Sequence, residues 1–202
     1  MKKAHWRKKY VARRQALAKA LYQQQSQEIQ ARFFQQFDLV YYPYLHTYLA
    51  CPERQEVATW GIVQTVFAEH PGVVVAAPKL LDGAGEMQSY AITPTTSFQQ
   101  HAWGIQEPVS RILVPAAAFL LVVLPVIAFD AQGYRVGYGQ GYYDRFLKQC
   151  RPDVTKVGLC FEGPVPAIDD LSAYDVPMDY CITPRQVFRW PPKGPKLRVE
   201  AG

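Results

Sequence analysis

The chain has 202 residues, 49% of them hydrophobic and 19% charged, enough to bury one sizeable core without staples. Its four cysteines, Cys51, Cys150, Cys160 and Cys181, form no C-x-x-C pair, and His5, His46, His70 and His101 form no H-E-x-x-H spacing, which argues against a thiolate zinc site and a disulfide framework. Much of the net charge of +5 lies in Lys2, Lys3, Arg7, Lys8, Lys9, Arg13 and Arg14, which suits nucleic acid, acidic membrane, nucleotide phosphates or simply a solvated helix face.

Arg13, Arg14 and Lys19 interrupt any apolar signal core behind the N-terminal charge. The most apolar segment, residues 116–129, is shorter than the roughly 20 residues that span a bilayer and contains Pro125. The expectation is a soluble, cytoplasmic protein with no membrane partner.

Residues 3–37 carry strong helix formers without Pro or Gly, with Tyr10, Leu17 and Leu21 at helical spacings, and predict one helix or two. Residues 38–42 (DLVYY) predict a short strand ended by Pro43, followed by an irregular connection to Pro52. Residues 56–69 return to a helix, with Val57, Trp60, Val63, Val66 and Phe67 in phase, broken by His70-Pro71-Gly72. Residues 72–77 (GVVVAA) predict a buried strand stopped by Pro78. The turn residues Asp82-Gly83-Ala84-Gly85 then predict a hairpin between residues 79–81 and 87–92. Residues 119–124 (FLLVVL) read as a strand buried on both faces; further short strands follow at 157–161 and 180–183. This alternation predicts a single α/β layered domain over residues 1–190, with a mostly parallel or mixed central sheet and helices on both faces. The Pro-rich and charged residues 191–202 predict a loosely held tail.

Chemistry concentrates in residues 129–147, FDAQGYRVGYGQGYYDRFL, where Gly137, Gly139 and Gly141 alternate directly ahead of a helical pattern. Glycine permits positive φ and close backbone approach, and a following helix N-terminus attracts anions, so phosphate is a natural guest. A tight turn packed on a sheet explains the same glycines, and neither a Walker A ending nor the Rossmann spacing is present. Asp144 in the first turn of that helix and Asp175 in the D-V-P-M-D of residues 175–179 suit magnesium, which takes one or two carboxylates beside water and phosphate oxygens. Helix capping for Asp144 and turn formation for Asp175 remain open alternatives.

The run G-Y-R-V-G-Y-G-Q-G-Y-Y-D-R-F-L closely resembles the signature of 5-formyltetrahydrofolate cyclo-ligases, also called 5,10-methenyltetrahydrofolate synthetases. Lys3 and Arg7 four apart on an N-terminal helix, Glu56-Val57-Ala58-Thr59, Trp103-Gly104-Ile105-Gln106-Glu107-Pro108 and the D-x-P-x-D at Asp175 are similar to further family segments in the same order. Residues 43–55 are longer than is usual in the family, and Gln140 stands where glycine or lysine is common.

The resemblance implies ATP- and Mg2+-dependent cyclisation of 5-formyltetrahydrofolate to 5,10-methenyltetrahydrofolate, by a monomeric enzyme with no nucleic-acid partner. It implies that Lys3, Arg7 and Arg135 offset triphosphate charge and that the backbone of Arg135, Val136, Gly137, Tyr138, Gly139, Gln140, Gly141, Tyr142 and Tyr143 cradles it. It further implies Glu56 on the pterin, Tyr138 and Tyr142 packed against it unless they serve the core, and magnesium on Asp144 with Asp175 bound directly or one shell out. Two alternatives stand beside it: a homologue that binds folate or nucleotide without turnover, and a basic nucleic-acid-binding module.

Overall fold

Four consecutive buried residues, Leu121, Val122, Val123 and Leu124, sort by parity: Leu121 and Val123 join one hydrophobic cluster, Val122 and Leu124 another. That is the signature of a strand covered on both faces. In the computed structural model, which describes residues 1–81, 85–101 and 104–191, this strand lies in the middle of an eight-stranded sheet.

The elements follow in chain order. Helices α1 (Lys3–Gln15) and α2 (Lys19–Gln36) open the chain, and strand β1 (Tyr44–His46) follows a short 3-10 turn. Then come α3 (Trp60–Glu69), β2 (Val74–Leu81), β3 (Glu86–Ile92), β4 (Phe98–Gln100), β5 (Gln106–Pro108) and β6 (Leu113–Val114). The second half holds β7 (Leu121–Pro125), β8 (Ala128–Phe129), β9 (Arg135–Val136), α4 (Tyr142–Gln149), β10 (Thr155–Leu159), β11 (Tyr180–Ile182) and β12 (Val187–Arg189).

The large sheet runs β12-β11-β10-β7-β1-β2-β3-β6. Its centre, β11-β10-β7-β1-β2, is parallel, and β12, β3 and β6 add antiparallel edges, so the mixed α/β architecture matches expectation. Ile29 and Phe33 of α2 with Ile62, Val63 and Val66 of α3 cover one face; Phe146 and Leu147 of α4 cover the other. A third cluster joins Trp6 of α1 to Ala128, Val136, Val165 and Ile168, which fixes α1 against the β8–β9 ribbon. From β1 the chain moves to β2 on one side, whereas β7, β10 and β11 extend the other way, so the winding reverses between β1 and β7. In open α/β sheets such a reversal leaves a crevice at the carboxyl ends of the strands.

Several local expectations need correction. Residues 38–42 are no strand: Leu39–Tyr41 is a 3-10 turn, because the Asp38 carboxylate accepts the Val40 N–H at 3.1 Å and curls the chain, leaving Val40 and Tyr41 exposed. The strand lies just beyond Pro43, so the supposed irregular connection contains β1, which sits between β2 and β7. The third helix starts at Trp60 instead of residue 56, since Glu56 is buried and Thr59 donates to the Tyr48 carbonyl at 2.7 Å. Pro78 does not stop β2. Pairing with β1 reaches only Ala76, so the missing N–H of Pro78 falls where β1 no longer runs alongside. For the helical stretch 3–37 the expectation of one helix or two holds: it is two, parted at residues 16–18 because α1 docks on the ribbon and α2 on the sheet. The hairpin exists as β2–β3, although its turn residues 82–84 lie outside the described residues, as do Trp103 and the tail beyond Pro191. Among the described residues no helix is long and apolar enough to cross a membrane.

Candidate active site

A cavity of about 290 Å³ opens at the carboxyl ends of the central strands, lined by Tyr48 and Leu49 after β1, Pro78 and Leu80 late in β2, and Pro125 ending β7. Its volume is at the lower end of the range typical of small-molecule sites.

One wall is cationic and comes from α1. Lys3 and Arg7, one turn apart, share a helix face with Arg14 a further seven residues on. Trp6 clamps that helix by donating its indole N–H to the Ala167 carbonyl at 3.1 Å. Lys3 Nζ lies 2.6 Å from both carboxylate oxygens of Asp175, and Arg7 Nε donates to the Gly137 carbonyl at 2.7 Å. Arg14, itself buried, donates to the Tyr138 hydroxyl at 2.7 Å. Of the N-terminal aromatic residues, Trp6 is buried in the chain and not displayed between exposed basic residues.

The second wall is the glycine loop and the start of α4. Gly139 (φ 96°) and Gly141 (φ 70°) adopt left-handed backbone that other residues rarely hold. A Cβ at Gly139 would stand 3.1 Å from Arg7 Nη2, so the absent side chain is what lets the arginine lie against the loop. Gly141 is the N-cap of α4, whose first amides have no carbonyl partner within the helix and face the loop end.

Asp144, in the first turn of α4, accepts from Arg135 Nη2 at 2.7 Å and from the Val176 N–H at 3.1 Å, both on Oδ1. Arg135 also donates to the Val176 carbonyl at 2.6 Å, so this guanidinium bridges Asp144 of α4 to Val176. Asp175 is engaged on both oxygens, by Lys3 and by the backbone N–H of Ser172 at 2.6 Å. Burial raises the Asp175 pKa, but Lys3 and Ser172 more than offset this, and the net shift is below the usual carboxylate value. Asp179, from the same motif, is turned away and bonds the Lys156 backbone N–H at 2.8 Å.

Glu56 lines the same cavity and is itself buried. It accepts the Cys51 N–H at 2.8 Å and the Tyr138 hydroxyl, while Arg54 and Arg14 lie over the Tyr138 ring at 4.8 and 5.7 Å. Burial first, and then the Glu56 charge, push the Tyr138 and Tyr143 phenols up, so both remain protonated. The remaining wall, Leu49, Pro78, Leu80, Met87, Ile105 and Pro125, is apolar. A charged end, a carboxylate with hydrogen-bonding groups and a greasy wall in one cavity suit a polyanion beside a flat heterocycle.

A model of the 5-formyltetrahydrofolate cyclo-ligase family matches residues 1–184. The chain belongs to this family. A probable 5-formyltetrahydrofolate cyclo-ligase of Schizosaccharomyces pombe is 29% identical over 157 residues, which cover 70% of this chain and 75% of that protein. The solution structure of Aquifex aeolicus 5,10-methenyltetrahydrofolate synthetase superimposes with a TM-score of 0.78 at 26% identity, covering 100% of both chains. The synthetase of Mycoplasma pneumoniae has the same fold, with a TM-score of 0.68 at 19% identity over 90% of this chain and 98% of the other.

As a cyclo-ligase family member, the protein has its sequence-expected site residues gathered in one place. Lys3, Arg7, Glu56, Arg135, Gly137, Tyr138, Gly139, Gln140, Gly141, Tyr142, Tyr143, Asp144 and Asp175 all line the cavity. Val136 does not: its side chain is in the α1 cluster, and only its backbone continues into the loop. Sequence reasoning missed Arg14 and the apolar wall. The seven-residue step from Arg7 to Arg14 was a usable signal, whereas Leu80 and Met87 meet the site only because the β2–β3 hairpin pairs Leu80 with Met87. Glu107, in the segment shared with the family, is buried and accepts the Leu80 N–H at 2.9 Å, so it braces this wall.

Proposed function

We propose that the protein cyclises 5-formyltetrahydrofolate to 5,10-methenyltetrahydrofolate, coupled to conversion of ATP to ADP and phosphate. The observation that carries this reading is the convergence of Lys3, Arg7, the glycine loop and Asp144 on the cavity that also holds Glu56 and the apolar wall. A formyl oxygen is a poor leaving group, and phosphorylation makes it a good one; the neighbouring nitrogen then closes the ring as phosphate departs.

Phosphoryl transfer asks a protein chiefly for positioning and charge stabilisation. Lys3 and Arg7 supply cationic charge, and the residue 137–141 backbone with the α4 N-terminus supplies N–H groups to the phosphates. Arg135 steadies Asp144 while adding its charge to the same wall. Glu56 accepts from the donor edge of the pterin, with the Tyr138 phenol beside it, and Tyr142 belongs to the same wall.

The donor set fits magnesium in a limited way. Both hydrogen bonds on Asp144 fall on Oδ1, which leaves Oδ2 as a carboxylate ligand, in keeping with the preference of Mg2+ for few protein ligands beside water and phosphate. Asp175, engaged on both oxygens, acts one shell out by holding Lys3 toward the cavity. When bound, the metal would neutralise phosphate charge. We place the enzyme in the cytoplasm, acting as a single chain; its four cysteines, all free thiols, suit a reducing compartment.

Mixing the purified protein with 5-formyltetrahydrofolate, Mg2+ and ATP should give an ATP-dependent rise in methenyl-folate absorbance. Binding of ATP or folate by the folded protein without that rise would favour the non-catalytic homologue and refute the proposal.

A further inference from the structure

A buried polar chain runs from the sheet to the cavity through two residues that the proposed reaction has not used. Ser89 Oγ on β3 lies 3.0 Å from His46 Nδ1 on β1, and His46 Nε2 lies 3.4 Å from the Tyr143 hydroxyl on α4. Ser89 and His46 are 1% and 0% exposed, and the imidazole is packed among aromatic rings, with Phe146 at 4.7 Å and Phe119 at 5.4 Å between centroids. An apolar side chain at position 46 would suit those neighbours without the cost of burying polar atoms. The chain of hydroxyl, imidazole and phenol is therefore not explained by packing. It ends on Tyr143, a half-buried residue that lines the cavity.

We propose that His46 is a positioning residue that fixes the Tyr143 hydroxyl as a hydrogen-bond donor toward oxygens of the bound substrate. This rests on the cavity being the site of ATP-dependent cyclisation. The direction of the chain follows from donor accounting. Among the described residues, the Ser89 hydroxyl has no acceptor other than His46 Nδ1. Its proton therefore points at Nδ1, the imidazole N–H is on Nε2, and that N–H donates to the Tyr143 oxygen. The phenol proton is left for the cavity. The opposite tautomer would strand the Ser89 proton in the core, the costlier arrangement.

Burial holds the His46 pKa at about 3, and the Tyr143 phenol is pushed up by burial and by the Glu56 charge. Neither group takes up or gives away a proton near neutrality, so the chain supplies a fixed dipole and not a general base.

The test uses the full-length protein and the ATP-dependent methenyl assay. His46→Leu should lower kcat about 10-fold or more, with the KM for ATP unchanged within about twofold. His46→Gln, which retains an amide N–H near the Nε2 position, should regain most of the loss. In a Tyr143→Phe background, His46→Leu should cost little further, the non-additivity expected of residues acting as a unit. An unchanged kcat in His46→Leu, or an equal loss with and without the Tyr143 hydroxyl, would overturn the inference. Should His46→Leu fail to fold in a thermal melt, Ser89→Ala carries the test: reduced kcat supports the chain and unchanged kcat refutes it. A wild-type protein without ATP-dependent turnover would overturn the cyclisation reading and this inference together; an active one indifferent to His46 would overturn this inference alone.

Discussion

Asp144 and Glu56 illustrate how one chemical group, the carboxylate, is set to two tasks by its partners. Asp144 answers to Arg135 and a backbone N–H on a single oxygen. Asp144→Asn keeps an acceptor for the Val176 amide but removes the charge opposite a buried guanidinium. We expect a stability loss of about 1–3 kcal/mol by denaturant melts, and loss of ATP turnover far beyond that in the methenyl assay. Retained turnover would remove Asp144 from the metal site. Glu56 instead uses its two oxygens on Cys51 N–H and the Tyr138 hydroxyl, in the wall of the same cavity. Glu56→Gln retains one acceptor and should weaken folate binding about 10-fold while leaving nucleotide affinity nearly unchanged, measured by calorimetry with each ligand separately. Equal weakening of both would count against the pterin role.

Among the elements, the glycine loop is held from both sides by arginines. Arg7 grips Gly137 from α1. Arg145, on the exposed side of α4, donates to the Gln140 carbonyl at 2.8 Å and through Nε to the Gly85 carbonyl at 2.7 Å, and its guanidinium lies over the Tyr142 ring. Both Gly85 and Gly141 have positive φ, and a Cβ on either would meet this guanidinium at 2.9 and 3.0 Å. Arg145 thus ties the β2–β3 hairpin to the glycine loop. Because it is exposed, Arg145→Ala should change stability by less than about 1 kcal/mol. The loosened loop should raise the KM for ATP several-fold, and an unaltered KM would show that the latch is dispensable. Helix α4 and its glycine approach were legible in the residue pattern, because glycine alternation and a helical apolar stripe are local signals. Strand β1 was not legible: Tyr44, Leu45 and His46 are too few to show a period, and only pairing with β2 and β7 makes them a strand.

At the scale of the whole molecule, the reversal of winding between β1 and β7 is what opens the cavity, and His46 sits on β1 at that point, fully buried. Its folded pKa of about 3 lies below the ordinary histidine value of 6.5. The unfolded chain therefore binds a proton between those values that the folded chain does not, and stability should decline as pH falls from 6.5 toward 3. The slope from this residue is at most about 1.4 kcal/mol per pH unit. Chemical denaturation at several pH values should detect it, and His46→Gln should remove that component; an identical pH slope in the variant would refute it.

Residue pattern determined the layered α/β class, the doubly buried strand, expected at 119–124 and found at Leu121–Pro125, the glycine turn ahead of α4 and, through family resemblance, the set of polar residues that meets at the cavity. These rest on periodicity, turn chemistry and motif order, all readable along the chain. Tertiary structure alone decided that Lys3 is held by Asp175, that Arg14 reaches Tyr138, that the β2–β3 hairpin supplies the apolar wall, and that a polar chain from Ser89 ends on Tyr143. The reason is physical: such contacts join residues far apart in sequence, and their partners are chosen by sheet order and register, which depend on the burial of the whole core and not on any one segment.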